Sequence, residues 1–127
     1  MTAEERAPKI LVVDDDESTR NSVREILEDD GYRVETASNG QEAIEKLEGG
    51  DLPALILLDL MMPVMDGWQF LSHQKTRPTP RHVPIVLLSG MAFIRDAPGV
   101  ADFLSKPIRP DALLSCIRRF CGEKRTA

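Results

Sequence analysis

Five residues of this chain stand where strand-like runs end, and their types suit one kind of chemistry. Lys9-Ile-Leu-Val-Val13 leads into Asp14-Asp15-Asp16-Glu17, and Ala54-Leu-Ile-Leu-Leu58 leads into Asp59. Pro84-Ile-Val-Leu-Leu88 leads into Ser89, and residues 101–105 lead into Lys106. Acids crowded at one rim repel one another and lose solvation, a cost relieved by a proton or by a bound cation. Asp14, Asp15 and Asp59 are hard oxygen ligands of the kind that hold magnesium. A hydroxyl and an ammonium opposite them can hydrogen-bond and neutralise the equatorial oxygens of a phosphoryl group during in-line transfer. Asp59, alone at the end of its run, is the obvious acceptor, because a carboxylate already ionised at neutral pH is a nucleophile without a base.

The elements that must bring these residues together alternate along the chain. Apolar runs rich in Val, Ile and Leu over 9–13, 54–58 and 84–88 read as strands covered on both faces, with 32–37 an alternating edge strand and 101–105 a short fifth. Helical spacing places Val23, Ile26 and Leu27 on one face of a helix over 18–30, stopped by Gly31. A second helix opens at Asn39-Gly40 with Ala43, Ile44 and Leu47 inward and ends at Gly49-Gly50. A third runs from Asp66-Gly67 through Phe70 and Leu71 to about Arg77, and a last, over 111–121, turns Leu113, Cys116, Ile117 and Phe120 to one face. Strands alternating with helices imply right-handed crossovers and an open parallel sheet with helices on both faces, which binds ligands outside the carboxyl ends of its strands.

At 127 residues the chain is the length of one ordinary domain. It is 42% hydrophobic and 29% charged, and no apolar run approaches the roughly 20 residues of a membrane span. Residues 1–8 lack an apolar segment and read as a flexible leader, not a secretion signal, so a cytoplasmic location is expected, with 9–122 the domain and 123–127 a tail. A net charge of −5 argues against nucleic-acid binding by bulk electrostatics. The basic cluster Arg118, Arg119, Lys124 and Arg125 reads as a solvated helix end. Cys116 and Cys121, five apart, match no redox or zinc motif and read as core residues.

Taken together, Ile10-Leu-Val-Val-Asp-Asp-Asp-Glu17, Leu57-Leu-Asp-Leu-Met-Met-Pro63 with Asp66-Gly67, Leu87-Leu-Ser-Gly90 and Lys106-Pro107 resemble the signature blocks of the response-regulator receiver domain of two-component signalling. The resemblance spans about residues 9–121. It implies a flavodoxin-like, doubly wound five-stranded parallel sheet of order 2-1-3-4-5. It also implies Asp59 as phospho-acceptor and a Mg2+ site of Asp14, Asp15, Asp59 and the backbone carbonyl of Met61. Lys106 would pair with the phosphoryl oxygens, Ser89 would hydrogen-bond them, and Phe103 with Ser89 would form the switch that reports phosphorylation. Gly90 would leave room beside the acceptor, Met61 and Met91 would govern access of water, and the bond before Pro107 would be cis. The implied partners are a sensor histidine kinase or histidine phosphotransfer domain as donor and a downstream protein. Neither nucleic acid nor membrane is among them.

One departure stands out. Ser89 and Lys106 are 17 positions apart, about five fewer than the family usually has, or roughly 1.4 helical turns. The helix between the fourth and fifth strands is therefore expected to be shortened or missing, which bears on the family's usual dimer and output surface.

Other residues take plainer readings. Asp16 and Glu17 read as helix-start acids. His73 and His82 have no partner at ligand spacing and read as surface or turn residues, and Trp68 as a helix packing residue. Two alternatives compete with the phospho-acceptor: a receiver-like interaction module that is never phosphorylated, and a metal-dependent phosphohydrolase with an aspartyl nucleophile. The second is disfavoured because Met61 stands where such enzymes place a general acid. Any self-dephosphorylation would be slow, which is not the work of a dedicated enzyme.

Overall fold

In a computed structural model, residues 7–77, 82–89 and 99–122 are described. The apolar runs form strands whose side chains are buried on both faces: β1 (Lys9–Val13), β3 (Leu55–Asp59) and β4 (Ile85–Ser89) lie inside, with β2 (Arg33–Ala37) and β5 (Asp102–Ser105) at the edges. All four pairings are parallel and the order is β2-β1-β3-β4-β5. The described helices are α1 (Glu17–Asp29), α2 (Gly40–Glu48), α3 (Gly67–Thr76) and α4 (Pro110–Cys121).

Side chains of a strand alternate between faces, and here the alternation divides the core in two. Leu11, Val13, Ile56, Leu58, Ile85 and Leu87 pack with Ala43, Ile44 and Leu47 of α2 and Phe70 of α3. Ile10, Val12, Leu55, Leu57, Val86 and Leu88 pack with Val23 and Leu27 of α1 and with Leu113, Cys116 and Ile117 of α4. This is the doubly wound, flavodoxin-like sheet in the expected order.

The helices begin where their caps allow. Asp16, Asn39 and Asp66 each accept a hydrogen bond from a backbone N–H of the first turn, satisfying a donor the helix cannot, and the Asp66 N–H in turn donates to Gln69 Oε1 in a capping box. The α4 helix has Pro110 in its first turn, where a missing N–H costs nothing. Gly31 follows α1 at φ 92°, a left-handed conformation that favours glycine.

Several details differ from expectation. The third strand is shifted by one residue, so Asp59 lies within β3, paired with Leu88, instead of just beyond it. Trp68 is 43% exposed and is not a packing residue. At 100° per residue it lies about 200° round the helix from the buried Phe70, which takes the inward position. His73 also turns partly inward, with its Nδ1 enclosed and unpaired among the described residues, while His82 is exposed. Cys116 is buried and Cys121 half-buried. Arg118 and Arg119 pair with Asp30 and Asp102. Ala7 and Pro8, assigned to the leader, are fastened to the sheet: Arg33 donates from Nε to the Ala7 carbonyl (2.9 Å) and from its backbone N–H to the Pro8 carbonyl (3.0 Å).

Residues 1–6, 78–81, 90–98 and 123–127 lie outside the described residues, and with them most of the leader, the tail, Lys124, Arg125, Gly90, Met91 and the stretch where the helix between the fourth and fifth strands was expected to be shortened or missing. No helix among the described residues is long and apolar enough to cross a membrane.

Phe70 is fully buried and is the side chain by which α3 meets the sheet. Phe70→Ala is expected to lower unfolding free energy by about 3–5 kcal/mol, read from urea melts by circular dichroism. A loss under about 1 kcal/mol would contradict that packing role.

Candidate functional site

The rim is assembled by register. Val13 pairs with Leu58 and with Ala37, so the residue after β1, Asp14, comes level with Asp59. The Asp14 N–H continues the ladder by donating to the Ala37 carbonyl at 3.1 Å. On the other side Ser89 pairs with Ser105, and the Lys106 N–H donates to the Ser89 carbonyl at 2.9 Å. Strand geometry alone thus carries two acids, a hydroxyl and an ammonium to one end of the sheet.

Asp14 is fully buried, Asp59 nearly so, and Asp15 exposed. A carboxylate oxygen from each of the three lies within 4.8 Å of the others. Lys106 bridges the two buried acids, with its Nζ 2.8 Å from Asp14 Oδ2 and 3.4 Å from Asp59 Oδ1. Asp14 is also held by the start of the helix that follows: the N–H of Asp16, the cap of α1, donates to its Oδ1 at 2.9 Å. Arg20, not singled out in the sequence, donates to its carbonyl at 2.7 Å. A cation one turn into the helix that follows an acidic strand end is the signal that marks Arg20.

Burial, and then the neighbouring Asp14 carboxylate, push the Asp59 carboxyl up to about 6, against the pull of the Lys106 ammonium. For Lys106 burial works to lower the pKa, but the hydrogen bond to Asp14 and the charges of Asp14 and Asp59 outweigh it, so its proton is held above the usual lysine range. The site is thus short of positive charge. Three carboxylates, two of them buried, converging with one oxygen apiece, form a donor set that fits a small hard divalent cation such as magnesium.

The loop after β3 forms one side of the mouth. Met61 is 69% exposed, and its N–H faces Asp59 Oδ1 at 3.4 Å. Gly67 opens α3 against the strand end, where a Cβ would stand 2.5 Å from the Asp59 carbonyl oxygen and 2.8 Å from Leu60 Cα. Only glycine permits that approach. Ser89 is buried at the end of β4. Phe103 is not at the cluster: it pairs with Leu87, two residues deeper than the Ser89–Ser105 pair, and packs half-buried on the core beneath α2 and α3. The Lys106–Pro107 bond is cis.

The family model for the response regulator receiver domain matches residues 10–118. An uncharacterised 14.6 kDa protein of Leptolyngbya boryana is 37% identical over 88% of this chain and 88% of its own length. Response regulator Rre1 of Synechocystis sp. is 36% identical over 93% of this chain, which spans only 53% of that protein. Among solved structures, the receiver domain of the sensor histidine kinase PA1611 from Pseudomonas aeruginosa PAO1 superposes with a TM-score of 0.82 at 28% identity, over 92% of this chain and 99% of that one. Its active-site cleft holds a coordinated magnesium ion. Sheet order, acidic rim and sequence agree, and the chain belongs to the response-regulator receiver domain family of two-component signalling.

Proposed function

We propose that this chain is a cytoplasmic phospho-acceptor whose Asp59 takes a phosphoryl group from a phosphohistidine of a sensor kinase or histidine phosphotransfer domain, and that it signals by phosphorylation-dependent protein contact. The observation that supports this most is the Lys106 ammonium shared between Asp14 and Asp59, at a rim where three carboxylate oxygens also converge. In the transfer, an Asp59 oxygen forms the new bond to phosphorus while the donor's N–P bond breaks and its electron pair stays on the imidazole nitrogen. Asp14, Asp15, Asp59 and the Met61 carbonyl would hold Mg2+, which when bound supplies charge neutralisation for the phosphoryl oxygens. Lys106 would turn from Asp59 to a phosphoryl oxygen, keeping Asp14 as its second partner. Ser89, on the strand beside Asp59, would donate its hydroxyl to another.

Phosphorylation adds about −1.5 to −2 charges at the rim. Drawing Ser89 and Lys106 toward that charge would pull on the ends of β4 and β5, and Phe103 on β5 would report the shift by changing how it packs. The group would then be lost only by slow hydrolysis.

Intact mass after incubation with Mg2+ and acetyl phosphate, and separately with a phosphorylated histidine phosphotransfer domain, checks the acceptor. One phosphoryl adduct is expected on the wild type and none on Asp59→Ala. A folded wild type left unmodified by both donors would replace this reading with that of an unphosphorylated interaction module.

The electrostatics give a second expectation. Because the folded carboxyl of Asp59 titrates at about 6, above its ordinary 3.8, it favours the folded state below pH 3.8, and that advantage is lost as the pH rises through 6. In EDTA at pH 7.5, Asp59→Asn is therefore expected to melt about 3–8 °C above the wild type, with the gap narrowing toward pH 5. Mg2+ is expected to raise the wild-type Tm at pH 7.5 and to do so much less in the variant. Equal melting of the two proteins in EDTA at pH 7.5 would contradict the crowding of charge at Asp59.

A further inference from the structure

The segment between β3 and α3, residues 60–66, lies outside the sheet, yet Met61 within it flanks Asp59. It is held in a strained form. Val64 has φ 68°, a left-handed conformation unusual for a β-branched residue, and the Met65 N–H donates to the Pro63 carbonyl at 2.7 Å. A three-residue turn closed by such a bond around a central residue at positive φ is the rare, strained form of the γ-turn. Val64 is 80% exposed, so burial of its own side chain does little to offset the strain.

Compensation must come from the ends of the segment. At one end the Gly67 N–H donates to the Leu60 carbonyl at 3.0 Å. At the other, the Gly40 N–H, at the start of α2, donates to the Met65 carbonyl at 2.8 Å. Contact at Gly40 is close: a Cβ there would stand 2.7 Å from Met65 Cγ, 2.9 Å from Met65 O and 3.0 Å from Met65 Sδ. One of these atoms is backbone and cannot swing aside. The Met65 side chain itself packs against the core beneath α2 and α3.

We propose that Gly40 is a positioning residue for the metal site: by seating Met65 it holds the strained 60–66 segment in the form that presents Met61 beside Asp59. This rests on the reading of that site as a magnesium site. The atoms nearest a Cβ at Gly40 all belong to Met65, which also takes its N–H, so the effect of Gly40 passes through Met65. A residue with a side chain at position 40 pushes the Met65 carbonyl away, the turn at Val64 relaxes, and the segment moves as a unit between its two ties.

The test uses Gly40→Ala and, because that variant risks misfolding, Met65→Ala, which removes the seated side chain without adding atoms. Amide hydrogen exchange of the metal-free proteins reads the hold directly. Exchange at Met61, Met65 and Gly67 is expected to speed at least tenfold, while amides of Ile56 to Leu58 keep their wild-type rates. Mg2+ titration followed by Trp68 fluorescence, at a temperature where every variant is folded, is expected to show a 5- to 20-fold rise in Kd for Gly40→Ala and a smaller rise for Met65→Ala. Adding Val64→Gly to Gly40→Ala, which relieves the strain the seat opposes, is expected to recover part of the lost affinity.

A lower Tm with unchanged Kd and unchanged exchange in residues 60–66 would make Gly40 a packing residue only and overturn the proposal. Faster exchange with unchanged Kd would overturn it as well, since the segment would then be held for another reason. A wild type that fails to bind Mg2+ would instead remove the magnesium site itself, and with it the role given to Gly40.

Discussion

Everything at the rim follows from holding the carboxylates of Asp14 and Asp59 side by side out of water. Two unit charges 4–5 Å apart near a protein surface repel by about 3–4 kcal/mol, and desolvation adds to that. One ammonium, Lys106, lies against both acids and relieves part of the cost. The residue of the cost is visible in the raised pKa of Asp59. The apolar strands make the arrangement tolerable. Burying one leucine contributes about 1.5–3 kcal/mol, so two of the fully buried strand leucines, such as Leu57 and Leu58, offset the repulsion. The sheet is therefore free to hold its acids together.

A parallel sheet is the economical way to impose this crowding, because every strand delivers its carboxyl end to the same side. The same property would make the rim responsive under the proposed chemistry. Lys106 sits closer to Asp14 than to Asp59, 2.8 Å against 3.4 Å, so its bond to Asp59 is the weaker of the two and the easier to exchange for a phosphoryl oxygen. Lys106 follows directly on β5, which also carries Phe103, and its N–H is bonded to the Ser89 carbonyl of β4. Charge added at Asp59 would thus act on two neighbouring strand ends at once, and Phe103 is near enough along β5 to be affected without touching the site.

Much of this was legible because the strands are apolar throughout and the residues that follow them are not. The fold follows from the alternation of runs such as Ile10 to Val13 with helical stripes such as Val23 and Leu27, and the gathering of Asp14, Asp15, Asp59 and Lys106 follows from the parallel topology. Boundaries were less legible. Asp59 belongs to β3 because it pairs with Leu88, and pairing between strands far apart in the chain leaves no local signal. Trp68 was misplaced because a large aromatic in a short helix is read as buried unless the helix phase is fixed, and Phe70 fixes it. Arg20 left only a faint local signal, a cation one turn into the helix after an acidic strand end, whereas the tie between Gly40 and Met65 was invisible for the same reason as the strand pairing: it is a contact between distant segments. In the sequence, Asn39-Gly40 signals a helix start and nothing more.

The contrast between sheet and loop explains why such a tie is needed at all. Asp14, Asp59, Ser89 and Lys106 are fixed by ladders of backbone hydrogen bonds and by side chains buried above and below, so their positions are over-determined. Met61 has neither support: it is exposed, and the nearest turn of its segment is centred on a valine at positive φ. A segment in that condition relaxes unless its ends are held, and its ends are held by glycines at the starts of two helices, Gly40 and Gly67, each donating an N–H into it. Both contacts exclude a Cβ, so both depend on a residue without one. The rigid half of the site comes from strand register. The other half comes from two helix starts, which use N–H groups that helices leave free at their first turn to brace a loop the sheet does not reach.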